Sequence, residues 1–378
     1  MIYETPALEQ IDHDVLGLIH DQRNTLRHQV HGYPVRWTGF LRRNTFARAV
    51  QGSNSIEGYD ANLADAVEII DDQRPETVEE ETRLALTGYR NAMTYILRIY
   101  DDPHASINLE LIRSLHYIIL SYDITKYPGQ WRPGVVLVVD DRTSEVMYEG
   151  PPPEQVQPLM AEFAMSLCET RSFDATVRAA MAHLNLTMIH PFKDGNGRMA
   201  RALQTMLLTR DGVLSPVFCS IEEWLGRNTQ AYYDILGQIG QGRWNPGNDA
   251  RPWVRFCLHA HFQQAATNIK RSAELGRVWD EIHSLIVARA LPERMELALI
   301  DAAYGFKVRN HKYREDNALS EVIASRDLKK LCEAGWLKPV GEKRGRYYVA
   351  EAPLIEIRRR LKDNTKASNP YELLGHTR

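Results

Sequence analysis

At 378 residues the chain is too long for one ordinary hydrophobic core, so two or three domains are expected. Apolar residues make up 44% and charged residues 25%, which describes a soluble globular protein, and the formal charge of −3 argues against a wholly basic nucleic-acid coat. The 4 cysteines, Cys168, Cys219, Cys257 and Cys332, lack C-x-x-C spacing, so neither a disulfide framework nor a zinc finger is indicated. The acidic opening MIYETPALEQ has no apolar core segment, so no signal peptide is expected, and apolar runs such as Val135 to Val139 are far too short to span a bilayer. A reducing, cytoplasmic setting follows.

Residues 1 to about 100 read as helices, with Leu16, Ile19, Leu26 and then Phe40, Phe46, Ala49, Val50 at helical spacing. Within them lies Ser53-Asn54-Ser55-Ile56-Glu57-Gly58, where Asn54 or Ser55 can cap a helix with Glu57 in its first turn. Amphipathic helices are expected from Glu79 to Tyr100 and from Asn108 to Leu120, and His116 in the second reads as a packed, hydrogen-bonded histidine. Val135-Val136-Leu137-Val138-Val139, a turn-rich Asp140 to Ser144, and Val146-Met147-Tyr148 read as a hairpin closed by three prolines. On its own terms such a hairpin merely covers the core. Helices return over 155 to 189, and the second should end at Ile189, delivering His190 into a loop that Pro191 keeps from continuing as helix.

That loop opens His190-Pro191-Phe192-Lys193-Asp194-Gly195-Asn196-Gly197-Arg198-Met199-Ala200-Arg201. His190 can take a proton near neutral pH, and Asp194 suits a hard cation such as Mg²⁺. Gly195-Asn196-Gly197 is permissive enough to turn several amides toward one anion. Apolar residues at Met199, Ala200, Leu203, Met206 and Leu207 start a helix near Gly197, with its positive end toward the loop and Arg198 and Arg201 three apart on its first turn. Base, metal ligand, anion nest and two arginines are what a triphosphate-handling site needs. A bare helix–turn–helix corner with a buried histidine is the alternative.

The stretch resembles the Fic family motif HPFx(D/E)GNGRxxR at every specified position. That resemblance implies a mainly α fold with a Fic-type helical core, and a nucleotidyltransferase that moves AMP from ATP to a protein hydroxyl. His190 would be the catalytic base and Asp194 the Mg²⁺ ligand. Gly195, Asn196, Gly197, Arg198 and Arg201 would bind ATP, with Lys193 near the phosphates. Ser53 to Gly58 is similar to the family's inhibitory signature (S/T)xxxE(G/N), which implies that Glu57 pairs with Arg201 and takes the place of the γ-phosphate. The hairpin is similar to the family's flap, implying that a target protein docks as an added strand near Val135 to Val139. Tyr232-Tyr233-Asp234-Ile235-Leu236 sits where the family builds part of its adenine pocket, with Tyr233 and Leu236 the matching positions and Gly240 where a polar residue can stand.

Two echoes carry no function. Gly237, Gly240 and Gly242 lack a preceding strand, and Cys257 and His261 share a helix face from which His259 points away. Gln263 to Val278 reads as a connecting helix or linker. Beyond it, Pro292 to Ala303, an element near His311 and Leu319 to Ala334 read as helices, and Trp336 to Lys338 and Arg346 to Val349 as strands. The order is similar to a winged helix-turn-helix, which implies DNA or protein docking through Arg326, Lys329 and Lys330, with Lys338, Lys343, Arg344, Arg346 and the run Arg358 to Arg360 adding charge.

The expected organisation is therefore residues 1–100 as a helical segment with the inhibitory motif, 101–265 as the catalytic core, and 280–378 as the winged helix. Two other functions stay open: removal of AMP using Glu57, and a nucleotide-sensing DNA-binding regulator. A homodimer is among the expected assemblies, and no membrane partner is expected.

Overall fold

The computed structural model describes residues 1–31, 35–102, 104–139, 146–169, 173–212, 220–342, 345–363, 365 and 367–375. Among them the helices are α1 (Gln10–His31), α2 (Val35–Ser55), α3 (Leu63–Ile70), α4 (Glu80–Ile99), α5 (Leu109–Leu120), α6 (Pro153–Glu169), α7 (Ala175–Ile189), α8 (Asn196–Arg210), α9 (Glu222–Arg227), α10 (Thr229–Gly240), α11 (Arg251–Ala288), α12 (Glu296–Ala303), α13 (Asn310–Asp316), α14 (Glu321–Glu333), α15 (Ala352–Leu361) and α16 (Pro370–Gly375). Two antiparallel hairpins join β1 (Leu137–Val139) to β2 (Val146–Glu149) and β3 (Leu337–Val340) to β4 (Tyr347–Ala350). The expected mainly helical class holds. No helix among the described residues is long and apolar enough to cross a membrane.

The chain divides into two compact units. One comprises Met1–Arg27, Thr45–Ala266 and Ala367–Arg378. Its centre is the pair α7 and α8, flanked by α4, α5 and α6. Nearly every side chain of α7 and α8 is buried, the apolar Val177, Leu184, Met188, Met199, Leu203 and Met206 together with polar ones such as His183, Arg198, Arg201 and Gln204. Trp253 of α11 fills this core and donates its indole N–H to the Ala180 carbonyl at 2.7 Å, which satisfies the only polar atom of its ring. The start of α5 follows from its cap, the Asn108 side chain accepting from the Leu111 amide.

One local expectation fails. Asn54 and Ser55 end a helix rather than begin one. α2 runs to Ser55, the amides of Glu57 and Gly58 donate back to the Asn54 and Ser55 carbonyls, and Gly58 takes the left-handed conformation (φ 82) that closes a helix C-terminus. Glu57 thus projects from a C-terminal turn.

The other unit comprises His28–Asn44 and Thr267–Lys366. Here α12, α13 and α14 precede the β3–β4 hairpin, and Val308 exchanges two backbone hydrogen bonds with Tyr348, bringing a further segment against β4. Leu299, Ile300, Leu328, Leu331, Trp336 and Leu354 form its core. Asp327, buried on α14, accepts from Arg294 at 2.7 and 3.2 Å and from the Tyr313 hydroxyl at 3.2 Å, so this carboxylate is internal structure. The run Arg358 to Arg360 is likewise engaged: Arg358 pairs with Glu274, Arg359 with Glu356 and Arg360 with Glu281. The stretch 263–278 lies within the single helix α11, where Gln264, Asn268, Ser272 and Glu274 are buried, so of the two expected forms, connecting helix and linker, it takes the helical one. Residues 140–145, Cys219, Lys343 and Arg344 lie outside the described residues.

Candidate active site

The end of α7 fixes His190. The residue adopts a left-handed conformation (φ 51) while its amide still donates to the Leu186 carbonyl, and Pro191 ends the helix. Its Nδ1 lies 3.2 Å from the Thr187 carbonyl oxygen. A carbonyl only accepts, so the ring proton sits on Nδ1 and Nε2 keeps its lone pair. Burial, reinforced by the positive charge of Arg132, pulls the His190 pKa down to about 4, so the ring is neutral at physiological pH.

Arg132, which the sequence reading passed over, clamps this corner. Its amide donates to the Pro191 carbonyl at 2.9 Å, Nε to the His190 carbonyl at 2.8 Å and Nη1 to the Gly134 carbonyl at 2.6 Å. The hairpin is tied down again by Tyr148, whose hydroxyl donates to the Met188 carbonyl at 2.7 Å. Leu137, Val139, Val146 and Met147 remain exposed.

The motif loop is rigid for identifiable reasons. Asn196 accepts from the Phe192 amide and donates to the Phe192 carbonyl, both at 2.9 Å, so its side chain closes the loop instead of projecting from it. Phe192 is buried beneath and stacks on His116 with ring centroids 3.6 Å apart. His116 accepts from the Gly129 amide at Nδ1 and donates from Nε2 to the Asp194 carbonyl, each at 2.9 Å, which is the packed, bonded histidine that the sequence led us to expect. Burial lowers its pKa to about 4. Gly195 needs its φ of 76, and a Cβ there would lie 2.9 Å from Leu120. α8 then begins without a side-chain cap, so the amides of its first turn face the loop.

Both arginines of that turn are buried, Arg198 at 0% and Arg201 at 1% exposure. Arg201 donates from Nε to the Ser53 hydroxyl at 2.8 Å, and from Nη2 to the Ser53 carbonyl at 2.9 Å and to Glu57 Oε1 at 2.5 Å. Burial works against its charge, but Glu57 and the neighbouring Tyr232 and Tyr89 hold its pKa above the ordinary arginine value. Gly197 makes this pairing sterically feasible, because a Cβ at that position would overlap Glu57 Oε1. Arg198 donates to the Tyr122 hydroxyl at 3.3 Å and lies over the Tyr59 ring, while its Nε and Nη2 have no hydrogen-bond partner among the described residues.

Asp194 takes the Gly195 amide at 2.5 Å on Oδ1 and the Lys126 ammonium at 3.1 Å on Oδ2, with Arg198 3.8 Å away. Burial raises its pKa, but Arg198 and Lys126 outweigh that and leave it below the usual carboxylate value. Among the described residues no group of three or more His, Cys, Asp or Glu stands together as a ready-made metal cage. Lys193 is exposed, donating to the Thr125 carbonyl at 3.0 Å and lying over Tyr127. Tyr233 donates its hydroxyl to the Ile56 carbonyl at 3.1 Å, and Leu236 packs partly against the core. Gly240 has a steric reason of its own: a Cβ there would lie 2.9 Å from the Tyr148 ring.

The structure thus joins His190, Asp194, Gly195, Asn196, Gly197, Arg198, Arg201 and Glu57 in one neighbourhood. Lys126, Tyr59, Tyr122 and Arg132 were missed, as was the buried chain in which His183 meets Gln204 at 2.5 Å and Tyr232 at 3.0 Å. Only the basic or aromatic character of Tyr122, Lys126 and Arg132, in the segment before the hairpin, and of Tyr59, directly after Gly58, could have pointed to the first four.

Residues 106–208 match the model of the Fic/DOC family. The chain is 28% identical over 258 residues to protein adenylyltransferase fic-1 of Caenorhabditis briggsae, covering 66% of this chain and 46% of that protein. It is 26% identical over 258 residues to protein adenylyltransferase Fic of Nematostella vectensis, covering 66% and 55%. The chain therefore spans about half the length of these curated relatives. A solved Fic family protein from Desulfovibrio desulfuricans G20 shares the fold with a TM-score of 0.60 and 19% identity, over 93% of this chain and 99% of that one. Fic-1 from C. elegans does so with a TM-score of 0.55 and 22% identity, over 68% and 72%.

Proposed function

We propose that this chain, whose residues 106–208 are a Fic domain, is a protein adenylyltransferase that moves AMP from ATP to a Ser, Thr or Tyr hydroxyl of a target protein, itself included. The observation that carries the reading is the His190 ring. Its Nδ1 proton is committed to the Thr187 carbonyl, and its bare Nε2 belongs to the loop that leads into two buried arginines. The hydroxyl oxygen attacks the α-phosphorus, Nε2 takes the hydroxyl proton, and the bond to the pyrophosphate oxygen breaks. The first amides of α8, together with Arg198 through its unpartnered Nε and Nη2, hold the phosphate charge. Asn196 serves by closing the loop, and Lys193 by proximity.

Mg²⁺ fits the donor set, since Asp194 is a single ionised carboxylate, 35% exposed, of the kind that holds this cation jointly with phosphate oxygens. Bound there, it would neutralise charge on the phosphates. Glu57 restrains the reaction by occupying the Arg201 guanidinium that the γ-phosphate needs. Tyr233 and Leu236 contribute to the adenine pocket, and the exposed hairpin around Leu137 and Val139 receives the target segment as an added strand. In domain terms we read 1–100 as the inhibitory segment, 101–265 as the catalytic core and 280–378 as a winged helix-turn-helix that docks DNA or protein. Three helices followed by a hairpin, with Arg326, Lys329, Lys330, Lys338 and Arg346 exposed, support that last part. A cytoplasmic setting and a homodimer complete the reading, and the unpaired thiols of Cys257 and Cys332 suit the former.

The deciding experiment incubates the full chain with ATP labelled on the α-phosphate, Mg²⁺ and candidate proteins. Label on protein that disappears in His190→Ala, with ATP binding kept, supports the reading. Removal of label from a pre-modified protein, or nucleotide binding without transfer, would replace it.

A further inference from the structure

The Asp194 carboxylate already has cations of the chain's own: Arg198 stands 3.8 Å from Oδ1, and Lys126 is the one in contact, on Oδ2. Lys126 ends a short turn, Ile124–Lys126, held at its start by Asp123 accepting from the Thr125 amide and at its carbonyl side by Lys193 donating to Thr125. From there its ammonium reaches Asp194 Oδ2 at 3.1 Å, the Tyr59 hydroxyl at 2.8 Å and Glu81 Oε1 at 3.5 Å. The Tyr59 and Tyr122 rings lie 5.5 and 5.6 Å from the ammonium, and its side chain is 19% exposed. The other Asp194 oxygen accepts from the Gly195 amide. Both oxygens are therefore engaged, and a divalent ion on Asp194 would meet a full positive charge within a few ångströms.

We propose that Lys126 is the resident counter-cation of Asp194, which a divalent metal must displace in order to bind, so that this lysine sets the metal affinity of the site. The inference rests on the assignment of Asp194 as the metal ligand. Two features favour displacement over a fixed staple. Glu81 and the Tyr59 hydroxyl form a second seat for the ammonium, already within 3.5 Å, so Lys126 can leave Asp194 without losing its polar partners. Tyr59 also donates to Glu81 at 3.3 Å, joining the two halves of that seat. Like charges at this separation oppose one another strongly even under an effective dielectric typical of partly exposed sites, so removing the lysine charge should tighten divalent binding by roughly tenfold or more.

The test needs no turnover. Mn²⁺ is titrated into the full chain and the free ion is followed by the loss of its electron paramagnetic resonance signal. Lys126→Met, which keeps the aliphatic stem over the two tyrosine rings, should bind Mn²⁺ at least about tenfold more tightly than wild type. Lys126→Arg, which keeps the charge, should stay within a few-fold of wild type, and Lys126→Met with Asp194→Asn should lose the gain. Equal affinity in wild type and Lys126→Met, with binding abolished by Asp194→Asn, overturns the role of Lys126 and leaves Asp194 as ligand. Binding that Asp194→Asn does not alter overturns the metal assignment itself. A folding defect in Lys126→Met is excluded by its circular dichroism, and Lys126→Gln supplies a second neutral variant.

Discussion

Replacing Glu57 by glycine isolates the contact on which the proposed autoinhibition depends. Arg201 is 1% exposed and Glu57 22% exposed, and their 2.5 Å bond is accompanied by two bonds from Arg201 to Ser53. Removing one member of a fully buried pair costs about 3–5 kcal/mol. The partial exposure of Glu57 and the remaining Ser53 contacts reduce this to about 1–3 kcal/mol. The γ-phosphate must supply the same amount when it takes the guanidinium from Glu57. Glu57→Gly should therefore bind a non-hydrolysable ATP analogue about 10- to 100-fold more tightly than wild type, since each 1.4 kcal/mol is about tenfold. Calorimetric titration reads that ratio, and self-labelling from α-labelled ATP should rise in parallel. Without nucleotide the variant should melt lower than wild type, because a buried guanidinium has lost its counter-charge. Adding Arg201→Ala should erase the gain in affinity. Unchanged affinity and unchanged labelling in Glu57→Gly would refute the reasoning and leave Ser53 to Gly58 as an ordinary helix end.

Three further outcomes are expected. Because the folded-state pKa of His190 is about 4, below the ordinary histidine value, the ring is already a base at pH 6, and transfer should show no step near pH 6.5 from this group. The same shift means that stability present above about pH 6.5 is lost as pH falls toward 4, since the unfolded ring takes its proton first; an NMR titration placing His190 near its ordinary value would contradict both statements. Gly197→Ala should destabilise the wild type by displacing Glu57 from Arg201, and should cost far less in the Glu57→Gly background; equal melting shifts in the two backgrounds would remove the steric argument. If α14 docks DNA, duplex affinity of the full chain should fall steeply with salt and drop further in Lys330→Ala, whereas Arg359→Ala, already paired with Glu356, should change little. Weak binding that is flat with salt would favour protein docking.

Most of the geometry of the candidate site was legible because it is local. His190 to Arg201 are consecutive, and a helix end, two glycines and a helix start dictate their arrangement with little help from the rest of the chain. The Glu57–Arg201 bond links residues far apart in sequence, and only a resemblance could suggest it. The reading of Asn54 or Ser55 as a helix N-cap failed for a simple reason: such polar residues occur at both ends of helices, and the left-handed Gly58 that decides between them is visible only in the backbone. Lys126 and Arg132 were illegible because their roles depend on where the segment before the hairpin returns against the motif loop. Charge misled at Arg358 to Arg360, where the run expected to add docking charge is paired with carboxylates of its own unit.

The Tyr148 and Arg132 anchors have a bearing on which hydroxyl would be modified. Tyr148 fastens the hairpin to the Met188 carbonyl, and Arg132 fastens the chain just before it to the carbonyls of His190 and Pro191, so the hairpin and the base share one frame. A strand seated along that edge as proposed would advance past Nε2 in fixed steps of about 3.3 Å per residue. Selection would then work as a ruler does, reading how far a hydroxyl lies along the docked segment. A hydroxyl at the right step would be accepted, and one two residues to either side ignored.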